Sequence, residues 1–388
     1  MADRDEAISP QPLQTIDEMA QAIASGYPIL RHQLAPAEMQ ARPRIPLIRG
    51  TERFAGHWLP EYHGIHDSTA DFSVDCYSVL GARISGSGQI WIAGRLVATP
   101  EIMPEYVPEL LGLAEGGNPS LWQPAGLPVR QIDDPCLVAI GHGIRIYGHF
   151  LIEMLFRILI ARRALGRTKL KYRLLLDEAA PRWLLRILEE HLGIGGADIA
   201  FFRPAEEQVL LRHALVPTNI LRVTRFHPEA NPLLAELLDG IDLEGLPETP
   251  RRPFIARRHF KNPAAPYRAC MNEEALINIA ARRHGFMPVA VETLSWPRQI
   301  ALFRNAEITL GLAGSGLHNA LFAQPGSCLA AMGVMNFVQS AIGGLRGQRN
   351  AFLDNVPLAG DFSLDEQLFT DFLDAAVEGM AGGEAVSV

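Results

Sequence analysis

The spacing of apolar residues changes along this chain, and each change marks a different kind of element. Between Thr69 and Glu101 the apolar positions come in short runs rich in β-branched and aromatic residues: Cys76-Tyr77-Ser78-Val79-Leu80, Ala82-Arg83-Ile84 and Gln89-Ile90-Trp91-Ile92-Ala93. Gly81 and the Gly86-Ser87-Gly88 turn separate them, which predicts a small β-meander. From Cys136 onward strands alternate with helical stretches. The strands are Cys136 to Ile140, Tyr172 to Leu176, Ile199 to Phe202 and Ala214 to Val216, with helices from His149 and after Pro181. That alternation predicts a parallel α/β unit. The acidic, proline-bearing stretch Asp239 to Pro253 reads as a linker, and a second α/β unit opens at Phe254. The expected organisation is an N-terminal arm over 1–68, a β-rich segment over 69–130, α/β units over 131–245 and 250–350, and a helix with a Gly- and Ala-rich tail over 351–388.

The sharpest local signal lies between Ser295 and Gly326. The strand-like Glu307-Ile308-Thr309-Leu310 runs into Gly311-Leu312-Ala313-Gly314-Ser315-Gly316-Leu317-His318-Asn319 and an apolar helical stretch. Glycines at 311, 314 and 316 let the backbone turn tightly and present bare N–H groups at the start of the next helix, which is how folds hold phosphate. A tight strand-to-helix turn packed on small residues has the same composition. Upstream, Phe254-Ile255-Ala256 ends in Arg257-Arg258. Arg268 follows, then the helix start Asn272-Glu273-Glu274 with Asn272 as N-cap, Gly285-Phe286, the strand Pro288 to Glu292, Leu294-Ser295 and Gln299-Ile300.

A second signal is Tyr147-Gly148-His149-Phe150-Leu151-Ile152-Glu153-Met154-Leu155-Phe156-Arg157. On a helix His149, Glu153 and Arg157 form one polar stripe through Phe, Leu, Ile and Met, and such a stripe is expected to face a cleft. The plainer reading of Glu153 and Arg157 is an exposed i, i+4 ion pair.

Composition narrows the function. The 388 residues are 48% hydrophobic and 20% charged with a formal net charge of −8, which predicts a soluble globular protein with more than one core. No run of Lys and Arg offers the footprint that nucleic acid needs, and lysine occurs only at 169, 171 and 261. Cys76, Cys136, Cys270 and Cys328 lack metal-ligand or redox spacing, so four reduced thiols and no metal site are expected. The acidic start Met1-Ala2-Asp3-Arg4-Asp5-Glu6 has no signal-like apolar core, and no window approaches a membrane span. A cytoplasmic protein is therefore expected.

The order of residues from Phe254 to Phe322 resembles the C-terminal half of glycosyltransferase family 61, the type associated with capsular polysaccharide biosynthesis. That pattern has a strand ending in arginine, a second arginine before Asn-Glu, a Gly-Phe, a Glu followed by Leu-Ser, a Gln-Ile, and a His-Gly-Ala-Gly-Leu-x-Asn-x-x-Phe loop. Ala313 stands where the family usually carries histidine, and Ser315 where it carries alanine. Tyr147 to Arg157 is similar to the family's N-terminal His-(aromatic)-Leu-x-(Asp/Glu)-x-Leu-x-Arg helix.

The resemblance implies a GT-B-like α/β fold of two Rossmann-like domains, with the C-terminal helix crossing back to the first. It implies an inverting transferase that moves a sugar from a nucleotide-sugar donor, by analogy a UDP-sugar, to a glycan or glycoconjugate acceptor in polysaccharide synthesis. No cofactor is implied beyond that co-substrate. Without an Asp-x-Asp motif at a strand end, the leaving group's charge is expected to fall to Arg257, Arg258 and the N–H groups around Gly314, Ser315 and Gly316. Arg268 belongs to the same donor side. Glu292, at the carboxyl end of a strand, suits ribose hydroxyls. Glu153 is the expected base with His149 as its orienting partner, or His149 is the base itself. His318 is a rival, in place of the histidine missing at 313, and Asn319 is expected to pin the glycine loop while Gln299 caps or packs. The alternatives are a degenerate relative that binds nucleotide or glycan without turnover and, with less support, a nucleotide-sugar epimerase.

Overall fold

The computed structural model describes residues 17–19, 21, 30–38, 47–49, 72–86, 88–99, 101–102, 126–141, 143–166, 170–222, 225–257, 269–333, 337–353 and 360–381. Arg258, Arg268, Ser87, much of the expected arm and the last residues of the tail lie outside them. The fold is mixed α/β, and it divides into two compact units: Met1–Met39 with Asp71–Val223, and Gln40–Ala70 with Thr224–Val388.

The first unit is built on one mixed sheet. Its strands are β1 (Leu30–Glu38), β2 (Phe72–Ser85), β3 (Gln89–Ile92), β4 (Arg95–Leu96), β5 (Val129–Ile132), β6 (Cys136–Leu137), β7 (Arg173–Asp177), β8 (Ile199–Phe202) and β9 (Gln208–Pro217). They run in the order β4-β3-β2-β9-β6-β7-β8, with β1 also on β2 and β5 also on β9. The meander is the antiparallel part, and β6, β7 and β8 continue the same sheet in parallel. Gly81 does not break the meander as its composition suggested. β2 runs through it for 14 residues, because β9 pairs in constant register on both sides, Leu80 opposite His213 and Ala82 opposite Leu211. Gly81 itself sits at φ 74°, a conformation glycine adopts at no steric cost. β1, expected as part of an arm, is a strand of this sheet: Arg31 makes a bidentate pair with the buried Asp75 carboxylate, both bonds at 2.8 Å.

After β6 the chain enters a helix at Tyr147–His149, passes through a π turn over Phe150–Met154, and continues as α1 (Leu155–Leu165). α2 (Arg182–Leu192) follows β7 and buries Leu184, Ile187, Leu188 and Leu192, the i, i+3, i+4, i+8 stripe of an amphipathic helix. It stops at Gly193, whose left-handed φ of 60° ends the helix.

The second unit is an all-parallel sheet. After α3 (Ala230–Asp239) come β10 (Pro253–Ile255), α4 (Glu273–His284), β11 (Met287–Val289), α5 (Trp296–Asn305), β12 (Ile308–Leu312), a 3-10 helix over Ser315–Phe322, β13 (Cys328–Met332), α6 (Phe337–Arg346), β14 (Arg349–Leu353) and α7 (Glu366–Ala381). The spatial order is β11-β10-β12-β13-β14, closed by the strand Leu47–Arg49. Numbered within the unit this is 2-1-3-4-5, one of the doubly wound α/β orders, and the winding reverses between β10 and β12. β12 and β13 are buried at every position, as strands covered on both faces should be.

One face packs Phe254, Leu310, Ala330 and Leu353 against Leu276 and Ala280 of α4 and Phe369, Phe372 and Leu373 of α7. The C-terminal helix is therefore part of this unit's own core, where the family analogy had it cross back. Its phenylalanines explain why: fully burying each stabilises the unit by about 1.5–3 kcal/mol. α3, which lies in the sequence before the expected linker, is tied to α6 by Asn231, whose amide donates to Leu345 O and whose Oδ1 accepts from Arg346 at 2.6 Å.

The four cysteines are free, and burial pushes the thiols of Cys76 and Cys328 up to about 12 and that of Cys136 to about 11. Among the described residues no helix is long and apolar enough to cross a membrane.

α7 is also fastened to α4 by Asp374, which accepts from Arg283 at 2.5 and 2.6 Å and pairs with His284 at 2.6 Å. The Arg283 bonds, and secondarily His284, hold the Asp374 carboxyl at about 2, below its ordinary 3.8. Because the folded-state value is the lower one, the stabilisation is complete above the ordinary carboxylate range and is lost as pH falls through about 2. Asp374→Asn should lower stability by about 0.2–1 kcal/mol near neutrality, the range of solvent-screened pairs. Thermal melting of the two proteins should show the gap closing as pH is taken from about 4 to about 2.

Candidate functional site

The sequence brings two sets of polar residues to carboxyl ends of parallel strands, one in each unit. In the second unit the reversal of winding separates the loops that leave β10 and β12, the place where ligands of such sheets bind. Gly311 lies where the two strands are closest. A Cβ there would lie 3.0 Å from Ile255 Cβ and 3.2 Å from Ile255 O, so β10 or β12 would have to give by a few tenths of an ångström to admit one.

Just beyond, the Arg257 guanidinium reaches across, with Nη1 donating to Ala313 O at 3.4 Å. The same nitrogen would be 3.3 Å from a Cβ on Gly314. Arg257 and the glycine loop, 56 residues apart in sequence, are thus neighbours. The main chain of Arg257 is fixed as well: its N–H donates to Glu273 Oε1 at 2.8 Å, and Glu273 is buried.

The loop is held from several sides. Ala313 N–H donates to Met332 O at 2.7 Å, and Asn319 Nδ2 donates to Gly316 O at 3.0 Å and to Gln299 Oε1 at 3.3 Å. Asn319 is fully buried. Gln299 in turn donates to Leu294 O. Gly314 is extended, and the helix expected after it is a 3-10 helix over Ser315–Phe322. The first residues of any helix leave their N–H groups without intrahelical partners, so Ser315 and Gly316 offer donors beside the Arg257 guanidinium.

Glu292 is exposed on a 3-10 turn, Val291–Thr293, just past the end of β11. Val291 Cγ1 would be 3.4 Å from a Cβ on Gly316, which sets this turn against the glycine loop. His318 is buried on the 3-10 helix. Arg258 and Arg268 lie outside the described residues. Asn272 occupies the N-cap position of α4 but does not cap it. Its Nδ2 donates to Leu364 O at 2.8 Å and its Oδ1 accepts from Leu364 N–H, anchoring the segment before α7.

In the first unit His149 Nδ1 and Glu153 Oε1 are 2.7 Å apart, across the π turn. Both side chains are partly exposed, His149 at 29% and Glu153 at 12%. The loop after β6 wraps this pair closely. A Cβ on Gly143 would fall 2.2 Å from His149 Cγ, and one on Gly141 would be 3.5 Å from Glu153 Oε2. Arg157 does not continue the stripe into a cleft. It is buried, its guanidinium donating to Ile140 O at 3.0 Å, to Asn219 Oδ1 at 2.8 Å and to Ile102 O. Because Ile140 directly precedes Gly141, Arg157 anchors the loop that packs on His149.

Glu273, Gly141 and Gly143 were not singled out as functional in the sequence. Glu273 looked like an ordinary first-turn acid, and nothing but the adjacency of Gly141 and Gly143 to the His149 segment hinted at theirs.

Chemically, an arginine beside a run of backbone N–H donors suits a phosphorylated leaving group, and a histidine–carboxylate pair suits the removal of a proton. Those are the demands of group transfer from an activated donor. The comparison with known families makes the class specific: residues 147–330 match the family model Glycosyltransferase 61, and this stretch is a glycosyltransferase family 61 domain. The matched span starts just before His149 and ends within β13, so it includes both polar arrangements. Membership gives a transferase with a donor and an acceptor substrate. No curated protein matches the chain.

Two outcomes check this geometry. Gly143→Ala should force the imidazole of His149 away and break its bond to Glu153, seen as a changed His149 ring signal in NMR, and the clash with His149 Cγ and Cβ should lower the melting temperature as well. Glu273→Gln keeps an oxygen to accept the Arg257 N–H and should fold with near wild-type stability. Glu273→Ala leaves that N–H without its acceptor and should lose about 1–3 kcal/mol in denaturant melts.

Proposed function

We propose that this protein is an inverting, metal-independent glycosyltransferase of GT-B-like type, with two Rossmann-like units. It would transfer a sugar from a nucleotide-sugar donor, a UDP-sugar by family analogy, to a glycan or glycoconjugate in cytoplasmic polysaccharide synthesis. The observation that carries the reading is the meeting of Arg257 with the Gly314–Gly316 loop at the β10/β12 reversal, inside the family-matched span.

In the proposed reaction Glu153, oriented by its bond to His149, takes the proton of an acceptor hydroxyl. The acceptor oxygen attacks the anomeric carbon from the face opposite the nucleotide, and the nucleoside diphosphate leaves with the bonding electron pair. Arg257 and the N–H groups of Ser315 and Gly316 meet the charge that develops on the leaving phosphate, with Arg258 and Arg268 as further cations and Glu292 as acceptor for ribose hydroxyls. His318, being buried, is assigned to support of the loop. Ala313 in place of the family histidine favours the second reading, a nucleotide or glycan binder without turnover.

Calorimetric titration of the wild type with UDP, GDP, CMP and dTDP should reveal one preferred nucleotide. Arg257→Ala should weaken it about 10- to 100-fold, the loss of a charge-assisted contact. Gly314→Asp should abolish it, because the new carboxylate would neutralise the guanidinium 3.3 Å from its Cβ. Glu153→Gln should bind the nucleotide normally and slow transfer by about 10²- to 10⁴-fold. Absence of binding to any nucleotide would sink the donor-site reading, and unchanged transfer in Glu153→Gln would sink the base assignment.

A further inference from the structure

The loops that leave β6 and β7 in the first unit carry a second cluster that neither proton transfer nor donor binding uses. Tyr147 and Trp183 each stand at the start of a helix following one of these two paired parallel strands, and their rings meet edge to face at 5.5 Å and 75°. Both are half-buried. Behind them Phe150, fully buried, meets Trp183 at 5.7 Å and 68°. The indole is therefore fixed by edge-to-face contacts with two neighbouring rings, one of them anchored in the core.

Arg145 Nη2 reaches Asp177 Oδ2 at 2.7 Å across the same two loops. The arginine is 57% exposed, and Asp177 is fixed in place by accepting Ala179 N–H. Ile146, 43% exposed, lies between Arg145 and Tyr147. Two residues beyond Tyr147 comes His149, bonded to Glu153.

We infer that Tyr147 and Trp183 form a stacking platform for a pyranose ring of the acceptor glycan, with Arg145 and Asp177 as the polar rim that reads its hydroxyls. One face of a pyranose is a set of C–H groups carrying partial positive charge, which match the negative π-face of an aromatic ring. Sugar sites pair that surface with a few directed polar groups, and an Arg–Asp pair supplies donors and an acceptor in fixed positions. Rings held by a buried neighbour lose little freedom on binding, so such a platform gains affinity through preorganisation. Ordinary packing of α2 on the sheet accounts for Phe150, Leu184 and Leu188, which are fully buried. It does not call for two aromatic rings left half open on the loops that leave β6 and β7, with an exposed arginine held on the same loops.

This rests on the transferase reading but not on the donor site, so it is tested without nucleotide. The fluorescently labelled full-length protein is applied to an array of bacterial-type oligosaccharides, and affinity for the best-bound oligosaccharide is then measured in solution for variants. Trp183→Leu and Tyr147→Leu should weaken it at least tenfold at unchanged melting temperature and far-UV spectrum. Trp183→Phe, which keeps a ring, should restore most of the affinity. Phe201→Ala, an exposed aromatic on β8, should match wild type. If the wild type binds no oligosaccharide, or binds one equally well in Trp183→Leu, the platform is overturned. Loss of glycan affinity in these variants with no nucleotide binding in the wild type would uphold the platform and count against the donor site alone.

Discussion

The architecture of the second unit depends on one close approach. A parallel sheet that reverses its winding must bring two strands together whose following loops then part, and here those strands are β10 and β12. Their contact at Gly311 and Ile255 is tighter than a side chain ordinarily meets. Everything that makes the edge chemically useful follows from it. Arg257 leaves one strand and the glycine loop leaves the other, near enough for the guanidinium to touch the loop carbonyl at Ala313. The buried carboxylate of Glu273 adds the remaining constraint, satisfying the main-chain N–H at the point where Arg257 departs. A buried carboxylate is costly unless hydrogen-bonded, and one bond of this one fixes the main chain of an arginine.

The first unit solves a comparable problem with a cation. Arg157 sits in the core, where an unpaired guanidinium would be unfavourable, and it is accommodated by carbonyls of Ile140 and Ile102 and by Asn219. Those segments are far apart in the chain, so one side chain joins the meander, the loop after β6 and the end of β9. The loop it steadies is the one whose glycines pack against His149 and Glu153. The stripe seen in the sequence therefore divides: His149 and Glu153 form a partly exposed hydrogen-bonded pair, and Arg157 holds the loop against which they rest.

The sheet shows how local composition can mislead. Gly81 looked like a break between strands because glycine weakens a strand interior, yet β2 continues through it because β9 supplies the same register on either side. Leu30–Glu38 carries no alternating pattern, and its sequence places it in an arm. It becomes a strand because β2 offers it an unpaired edge and Asp75 offers Arg31 a buried partner. Tertiary pairing outweighs intrinsic propensity in both cases.

By itself the sequence determined the alternation of elements, the strand–glycine-loop pattern at 307–316, the family resemblance over Phe254 to Phe322, and the polar stripe from His149. These are written in local spacing, and local spacing is what side-chain periodicity and backbone sterics read. Which residues meet was decided only in three dimensions. The partnership of Arg257 with Gly314, the bond from Arg257 to Glu273, the turning inward of Arg157, the Tyr147–Trp183 pair and the docking of α7 on α4 all join positions separated by many residues. Such contacts depend on strand order and on which crossover a helix takes, and neither leaves a trace in the pattern of neighbouring residues.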